Sequence, residues 1–205
     1  MKRITLIIAT LILLLAACAT SLLVMNFQVK RSQSNVDKQI TTYTSQPETS
    51  NGFPTQMRLA LYVQGSDRVA NQLRETLKEQ LAAAPDIQQV ELLTELSEFS
   101  DQPVLVVEFD QREIAWTPIR SVSKVAFQAA FASDGDVSWR HKKPVIMTNQ
   151  GQSVIRVEGE FTFNDNTLGL VSRPAYQEYL GKQLASNISA ALTDALETST
   201  RSYHP

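Results

Sequence analysis

Carboxylates are the side chains of this sequence that come closest to a catalytic arrangement. Glu158 and Glu160 alternate along one face of a strongly patterned segment, and Glu108 ends an apolar run. Two carboxyl groups can serve as acid and base in glycoside hydrolysis, and burial can raise the pKa of a glutamate. Arg156 shares the face of the pair, which is typical of a solvated polar surface. A carboxylate-dependent hydrolase is therefore the alternative interpretation, and a non-enzymatic role is the prediction.

Histidine and cysteine are too scarce for the common nucleophilic and metal-dependent mechanisms. The only histidines are His141, inside a basic run, and His204, in a polar tail. The single cysteine, Cys18, lies in the first apolar run. A cationic environment repels a metal ion, and Ser/His/Asp or Cys/His catalysis needs a histidine beside the nucleophile. We therefore predict no catalytic residue, no metal ligand and no cofactor.

The first 31 residues predict a membrane anchor. The run from Ile4 to Phe27 contains no charged residue and is flanked by Lys2-Arg3 and Lys30-Arg31. A helix of this length spans a hydrocarbon core about 30 Å thick. Two interpretations remain open: an uncleaved transmembrane helix with its N-terminus inside, or a lipoprotein signal peptide in which Leu15-Ala16-Ala17-Cys18 supplies a lipidated Cys18. Both place the rest of the chain on the extracytoplasmic side of a bacterial cytoplasmic membrane.

Composition divides the remainder into a linker, one domain and a short tail. The chain has 205 residues, of which 43% are hydrophobic, and its net charge of −2 gives no basic footprint for nucleic acid. Residues 32–54 are rich in Ser, Thr, Gln and Asn without an apolar period, which predicts a flexible linker. Residues 55–198 are predicted to form the folded domain, and residues 199–205 a frayed tail.

Alternating and continuous apolar runs predict several strands in the domain. Asp134-Gly135 predicts a two-residue hairpin turn, and Asn164-Asp165-Asn166 predicts a second turn. The predicted strands are 57–63, a short stretch at 90–93, 104–109, a segment within 114–132, 137–140 and 153–163.

Two segments have the period of an amphipathic helix. The first follows a cap at Ser66 or Asp67 and ends at Pro85, and the second follows a cap at Ser172. One apolar stripe on each helix and one apolar face on the strands predict an α+β two-layer sandwich. In this fold both helices cover one face of a mostly antiparallel sheet. The second stripe consists of Tyr176, Leu180, Leu184, Ile188, Leu192 and Ala195.

The order strand, helix, strands, helix resembles small bacterial cell-envelope lipoproteins, including lipopolysaccharide-assembly and ABC-transport auxiliary lipoproteins. The resemblance covers Met57 to Leu196 and is most specific at Gly159-Glu160-Phe161-Thr162-Phe163 and Tyr176-Gln177-Glu178-Tyr179-Leu180. It is architectural and implies no functional residue. It implies a non-enzymatic envelope module that binds a protein partner or a lipid assembly. A ligand-sensing envelope domain is a further alternative.

One basic run in the domain follows a tryptophan. Trp139, Arg140, Lys142 and Lys143 combine an amphipathic ring with three cations. Aromatic and cationic side chains favour the interface of a membrane with anionic lipids. This run is the predicted membrane-surface contact of the domain.

Overall fold

The computed structural model describes residues 28–45, 57–140 and 154–201, which form a six-stranded sheet and two helices. The strands are β1 (Gln28–Ser45), β2 (Met57–Val63), β3 (Ile87–Leu92), β4 (Val104–Trp116), β5 (Arg120–Ala132) and β6 (Val154–Val171). The helices are α1 (Arg68–Ala82) and α2 (Arg173–Arg201). The predicted α+β class is confirmed. The predicted anchor helix lies outside the described residues, and neither described helix is long and apolar enough to cross a membrane.

The sheet is mixed, with the strand order β1-β6-β5-β4-β2-β3. Its β1–β6, β6–β5 and β5–β4 pairs are antiparallel, whereas β2 is parallel to both β3 and β4. The parallel β2–β3 pair follows from α1, because a helical crossover returns the chain to the end of the sheet where β2 began. The predicted antiparallel arrangement is therefore present in β1, β6, β5 and β4, whereas β2 and β3 make the sheet as a whole mixed.

β1 corrects the prediction of a flexible linker over residues 32–54. Ser32 to Ser45 lies in β1, which pairs with β6 from Gln28 opposite Val171 to Ser45 opposite Val154. Val36 and Ile40 pack against the core from this otherwise polar strand. Pairing with β6, rather than an apolar period of its own, thus fixes β1. Residues 46–54 lie outside the described residues.

β6 also differs from its prediction, because it continues through the expected turn. Asn164, Asp165 and Asn166 each have a partner on β1 and on β5. A segment with strands on both sides gains two sets of backbone hydrogen bonds, which outweighs the turn preference of these residues. β6 therefore spans 18 residues.

The chain turns at Asp134-Gly135 as predicted, but the residues after the turn do not form a return strand. Gly135 has a φ of +73°, and a Cβ there would clash with the Ser100 carbonyl oxygen. The chain then forms a short bridge between Asp136 and Phe99. Residues 137–140 form turns that cover part of the sheet, so the predicted strand at 137–140 is wrong.

Both helices pack on one face of the sheet, here called the inner face. Asp67 caps α1 by accepting a hydrogen bond from the Ala70 N–H at 3.0 Å, and Ser172 accepts one from the Ala175 N–H at 3.3 Å. The helices approach closely at Gly181, where a Cβ would lie 2.8 Å from the Val69 carbonyl oxygen. The continuous core under them contains the predicted stripe of α2 together with Phe127, Phe131, Phe161 and Phe163.

Leu184→Ala tests this packing. Leu184 is completely buried in the middle of the α2 stripe. Truncation of a buried leucine costs about 2–5 kcal/mol, which is a large share of a total stability of about 5–15 kcal/mol. We expect a markedly lower melting temperature for Leu184→Ala. Lys182→Ala, at an exposed position of the same helix, should melt close to the unsubstituted protein. Equal, small effects from both changes would contradict packing of α2 on the sheet.

Candidate functional site

The predicted carboxylates lie on the outer face of the sheet, opposite the helices. Glu108 on β4 is opposite Gln128 on β5, which is opposite Glu160 on β6. Glu158 lies on the same face, two residues along β6. Two strand spacings separate the backbones at Glu108 and Glu160, about 10 Å. The sheet thus brings two of the three carboxylates into one row with a glutamine between them.

These carboxylates lie on an open surface. Glu108 forms an ion pair with Arg140, whose Nε lies 3.1 Å from its carboxylate. Glu160 borders a shallow depression of about 470 Å³ that also contains Asp37 and Asp110 but neither Glu108 nor Glu158. A glycosidase needs its two carboxyl groups on either side of an enclosed scissile bond. The described surface does not enclose a substrate between them.

Arg156, which was predicted to share the solvated face of the glutamates, is buried in the structure. It is 4% exposed and binds Asp134 at 2.7 Å and Asp136 at 2.9 Å. These aspartates, predicted from turn chemistry alone, are therefore its ion-pair partners. Burial acts to raise the pKa of Asp136, but hydrogen bonds with Ser138 and the charge of Arg156 outweigh burial and lower it. The ion pairs of Arg156 with Asp134 and Asp136 thus hold the loop after β5 against the outer face.

Trp139 and Arg140, which were predicted to contact a membrane surface, instead pack against other residues of the domain. Trp139 is 4% exposed, with its ring centroid 6.0 Å from that of Tyr43 and 5.7 Å from the Arg156 guanidinium carbon. Arg140 is engaged with Glu108. The Trp139 ring therefore fills space between the loop and the sheet instead of projecting from the surface. Lys142, Lys143, His141, His204 and Cys18 lie outside the described residues.

A buried polar cluster around Asp165 was missed from the sequence. Its carboxylate accepts hydrogen bonds from the hydroxyls of Thr167 at 2.8 Å, Tyr176 at 2.9 Å and Tyr179 at 3.2 Å. The Thr167 hydroxyl also lies 2.8 Å from that of Ser32 on β1. Asp165 is 3% exposed and Tyr176 is fully buried. The cluster joins β1, β6 and the first turns of α2.

Strand alternation explains why the carboxylate of Asp165 points inward. Residues two apart on a strand share a face, so Asp165 and Thr167 continue the inner-face row of Phe161 and Phe163. The tyrosines come from the other layer, because residues three apart on α2 lie on neighbouring positions of its surface. Two features of the sequence could have indicated this cluster. Asp165 alternates in step with Phe161 and Phe163, and Tyr176 and Tyr179 are spaced by three residues.

Lys30 borders the cluster, and its surroundings shift its pKa well away from the ordinary value. Its Nζ lies 2.9 Å from the centroid of the Tyr179 ring, an arrangement that attracts a cation to the aromatic face. Burial lowers the pKa of Lys30 to about 8, and the charge of Asp165 opposes that shift only in part. From the sequence, this lysine was predicted to lie at the end of the anchor.

The chemistry of the cluster is that of a satisfied buried carboxylate. Burial raises the pKa of Tyr176 and Tyr179, and the charge of Asp165 adds to the effect. Both side chains therefore remain neutral phenols that donate to Asp165 at physiological pH. A substrate cannot reach Asp165 or Tyr176 without opening the interface between α2 and the sheet. We assign the cluster to fixing the start of α2 over this end of the sheet.

An apolar cavity lies at the opposite end of the helix layer. Its volume is about 160 Å³, and Met57, Leu81, Ile155 and Leu192 contribute to its walls. Small-molecule pockets are usually about 300–1,000 Å³. Within the described residues no group of three or more His, Cys, Asp or Glu side chains is arranged to hold a metal ion.

Comparison with known proteins gives structural similarity to PelC dodecamers. No family model and no curated protein sequence matches it. Among solved structures it is similar to the dodecamer of a PelC point variant from Paraburkholderia phytofirmans, with 13% identity and a TM-score of 0.32, over 75% of this chain and 95% of that one. A PelC dodecamer from the same organism gives 12% identity and a TM-score of 0.30, over 72% and 96%. Similarity at this level supports no conclusion about fold or function.

Tyr176→Phe tests the cluster. It removes a 2.9 Å hydrogen bond to a buried carboxylate, a loss that costs about 1–3 kcal/mol. Urea denaturation should show a clear loss of unfolding free energy. Tyr179→Phe is the matched change at a longer hydrogen bond and a less buried ring, and it should cost less. A larger loss of unfolding free energy in Tyr179→Phe than in Tyr176→Phe would contradict a carboxylate held mainly by Tyr176.

Lys30→Met tests the lysine through pH. Between about pH 8 and its ordinary pKa of 10.5, Lys30 is deprotonated in the folded protein but still protonated in the unfolded chain. The unfolded state then binds more protons, so the Lys30 contribution makes stability rise with pH. We expect chemical denaturation between about pH 7 and pH 9.5 to show this rise. Lys30→Met should lose it, and Lys38→Met, at an exposed lysine of β1, should keep it. An unchanged profile in Lys30→Met would contradict the burial of this amine.

Proposed function

We propose that this chain is a membrane-anchored module of the bacterial cell envelope, without catalytic activity, that binds a protein partner or a lipid assembly. Its domain lies on the extracytoplasmic side of the cytoplasmic membrane. The resemblance to envelope lipoproteins in the order of elements supports this role as an expectation. The comparisons leave both the family and the partner open to experiment.

The observation that carries the proposal is the position of β1. The apolar run of the predicted anchor ends at Phe27, and β1 begins at the next residue, Gln28. β1 is then paired with β6 along its whole length. An anchor formed by the run would therefore pass into the sheet without a spacer. Such a connection suits a domain that acts close to the membrane surface.

The outer face supports a binding role over hydrolysis. Glu108 is paired with Arg140, and Glu160 borders an open acidic depression. An exposed sheet face with charged side chains can contact a partner, whereas hydrolysis needs a site that surrounds the scissile bond. No observation on the described residues specifically favours the ligand-sensing alternative.

Membrane fractionation tests the anchor. The unsubstituted chain should sediment with bacterial membranes and be cleaved by protease added to spheroplasts. Leu13→Arg combined with Leu14→Arg places two charges in the run, each costing about 2.5–3.5 kcal/mol at the centre of a spanning helix, and should release the chain from the membrane fraction. Leu13→Met with Leu14→Met should behave like the unsubstituted chain. Recovery of the unsubstituted chain in the soluble fraction would refute the proposal.

Intact mass of the membrane-extracted protein then separates the two anchor interpretations. A diacylglyceryl group on Cys18 with loss of residues 1–17 identifies a lipoprotein. A full-length, unmodified chain identifies a spanning helix.

A further inference from the structure

One end of the sheet exposes a cluster of large apolar side chains. Ile119 is 68% exposed, Leu168 53%, Leu170 49% and Val122 40%. The backbone brings them together, because Leu168 is opposite Arg120 at the start of β5 and the Gly169 N–H donates to the Ile119 carbonyl at 3.0 Å. We call Ile119, Val122, Leu168 and Leu170 the apolar tip. It lies on the outer face and in the β4–β5 turn.

The strands that form the apolar tip have an inverted pattern at this end. On the inner face, Ser121, Ser123 and Thr167 are buried together with Asp165. On the outer face, the alternate positions expose Val122, Leu168 and Leu170. In the middle of the same strands, the large apolar residues Val125, Phe127, Phe161 and Phe163 point inward to the core. An inversion of this kind places apolar side chains on the side where water would normally require polar ones.

Cations surround the apolar tip. Arg31, opposite Leu168 on β1, Arg120 at the start of β5 and Arg173 at the start of α2 are all exposed. Segments 28–31, 116–121 and 167–173 contain neither Asp nor Glu. The apolar tip therefore combines exposed hydrocarbon with positive charge, the combination that binds a surface of anionic lipids.

The covalent path from the predicted anchor ends at the same place. Gln28 directly follows Phe27, and the strand partner of Gln28 is Val171, beside Leu170. Adjacent Cα atoms are about 3.8 Å apart. A run held in a bilayer therefore brings this end of the sheet to the bilayer surface.

We propose that the apolar tip docks on the bilayer in which the chain is anchored, with Ile119, Leu168 and Leu170 in the headgroup region. Arg31, Arg120 and Arg173 contact anionic headgroups. The inference rests on the membrane anchoring proposed above. In this orientation, the end of the sheet that carries the apolar tip contacts the bilayer. The acidic depression with Asp37, Asp110 and Glu160 faces away from the lipid.

A lipid surface fits the apolar tip better than a second copy of the chain. Two copies joined tip to tip would bring their exposed arginines together, and like charges at short range repel. Anionic headgroups neutralise the same cations. The docking also differs from the predicted contact at Trp139. Tyr43, which packs on Trp139, lies far along β1 from Gln28, at a distance of about 50 Å given about 3.3 Å per residue.

Photo-crosslinking of the full chain tests the docking. The photoreactive residue p-benzoylphenylalanine replaces Ile119 or Leu168, and Phe99 in the matched control. Phe99 is 65% exposed and lies at the other end of the sheet, where it bridges Asp136. Each protein is reconstituted into vesicles of phosphatidylethanolamine and phosphatidylglycerol, floated on a density gradient and irradiated. Mass spectrometry should find phospholipid adducts at positions 119 and 168 and none at position 99.

The other results are decisive too. A chain that floats with the vesicles but gives no lipid adduct at 119 or 168 overturns the docking and leaves the membrane anchor standing. A cross-linked dimer, or a link to residues 1–27, overturns it in favour of those occupants. Lipid adducts at 99 alone would place the other end of the domain on the membrane. A chain that fails to float refutes both the anchor and the docking.

Charge provides an independent measurement on the same vesicles. Arg31→Gln, Arg120→Gln and Arg173→Gln each remove one cation near the surface, which changes local partition about fivefold. The yield of lipid adduct at position 168 should fall with each change and recover little when phosphatidylglycerol is raised. Lys38→Gln, at an exposed lysine of β1 away from the apolar tip, should leave the yield unchanged. An unaltered yield in a variant that combines all three arginine changes would overturn the role of the arginines.

Discussion

The pairing of β1 with β6 is the constraint on which the rest of the structure depends. β1 is an edge strand whose side chains are mostly exposed, so its position is held by backbone hydrogen bonds along an 18-residue register. The same pairing brings Ser32 beside Thr167 and Lys30 over Tyr179. Without β1, β6 would become the edge, and the polar cluster around Asp165 would lose one wall. Local polarity and long-range pairing therefore have to be considered together in this fold.

Periodicity predicted the elements that bury a face of their own. The stripe on α2, the stripe on α1 and the alternation of β6 up to Phe163 each require a regular apolar pattern, and each is present in the structure. β1 could not be found in this way, because an edge strand paired on one side needs few apolar residues. Val36 and Ile40 are too far apart and too sparse to indicate a period. Only part of its partner strand was predicted, since β6 was expected to end at Phe163 and continues to Val171.

The Asp165 cluster shows the limit of assigning residues by type. Asn164-Asp165-Asn166 has the composition of a turn, and that composition decided the prediction. In the structure, β1 and β5 supply backbone partners on both sides, and α2 supplies two phenol donors. Position on the strand carries the missing information, because Asp165 lies two residues after Phe163 and therefore shares its face. Residue type gave no way to know that tyrosines 11 and 14 positions further along would reach it.

The inversion at the end of the sheet links this cluster to the apolar tip. Strand alternation allows either face of a segment to be apolar, but a segment whose apolar side chains point outward must bury its polar ones. Buried polar groups are costly unless they are hydrogen-bonded, and Asp165 meets that requirement with three hydroxyl donors. A sheet surrounded only by water gains nothing from this arrangement. Contact of this end of β6 with an apolar or interfacial environment would bury the exposed Leu168 and Leu170, and the start of β1 lies beside them.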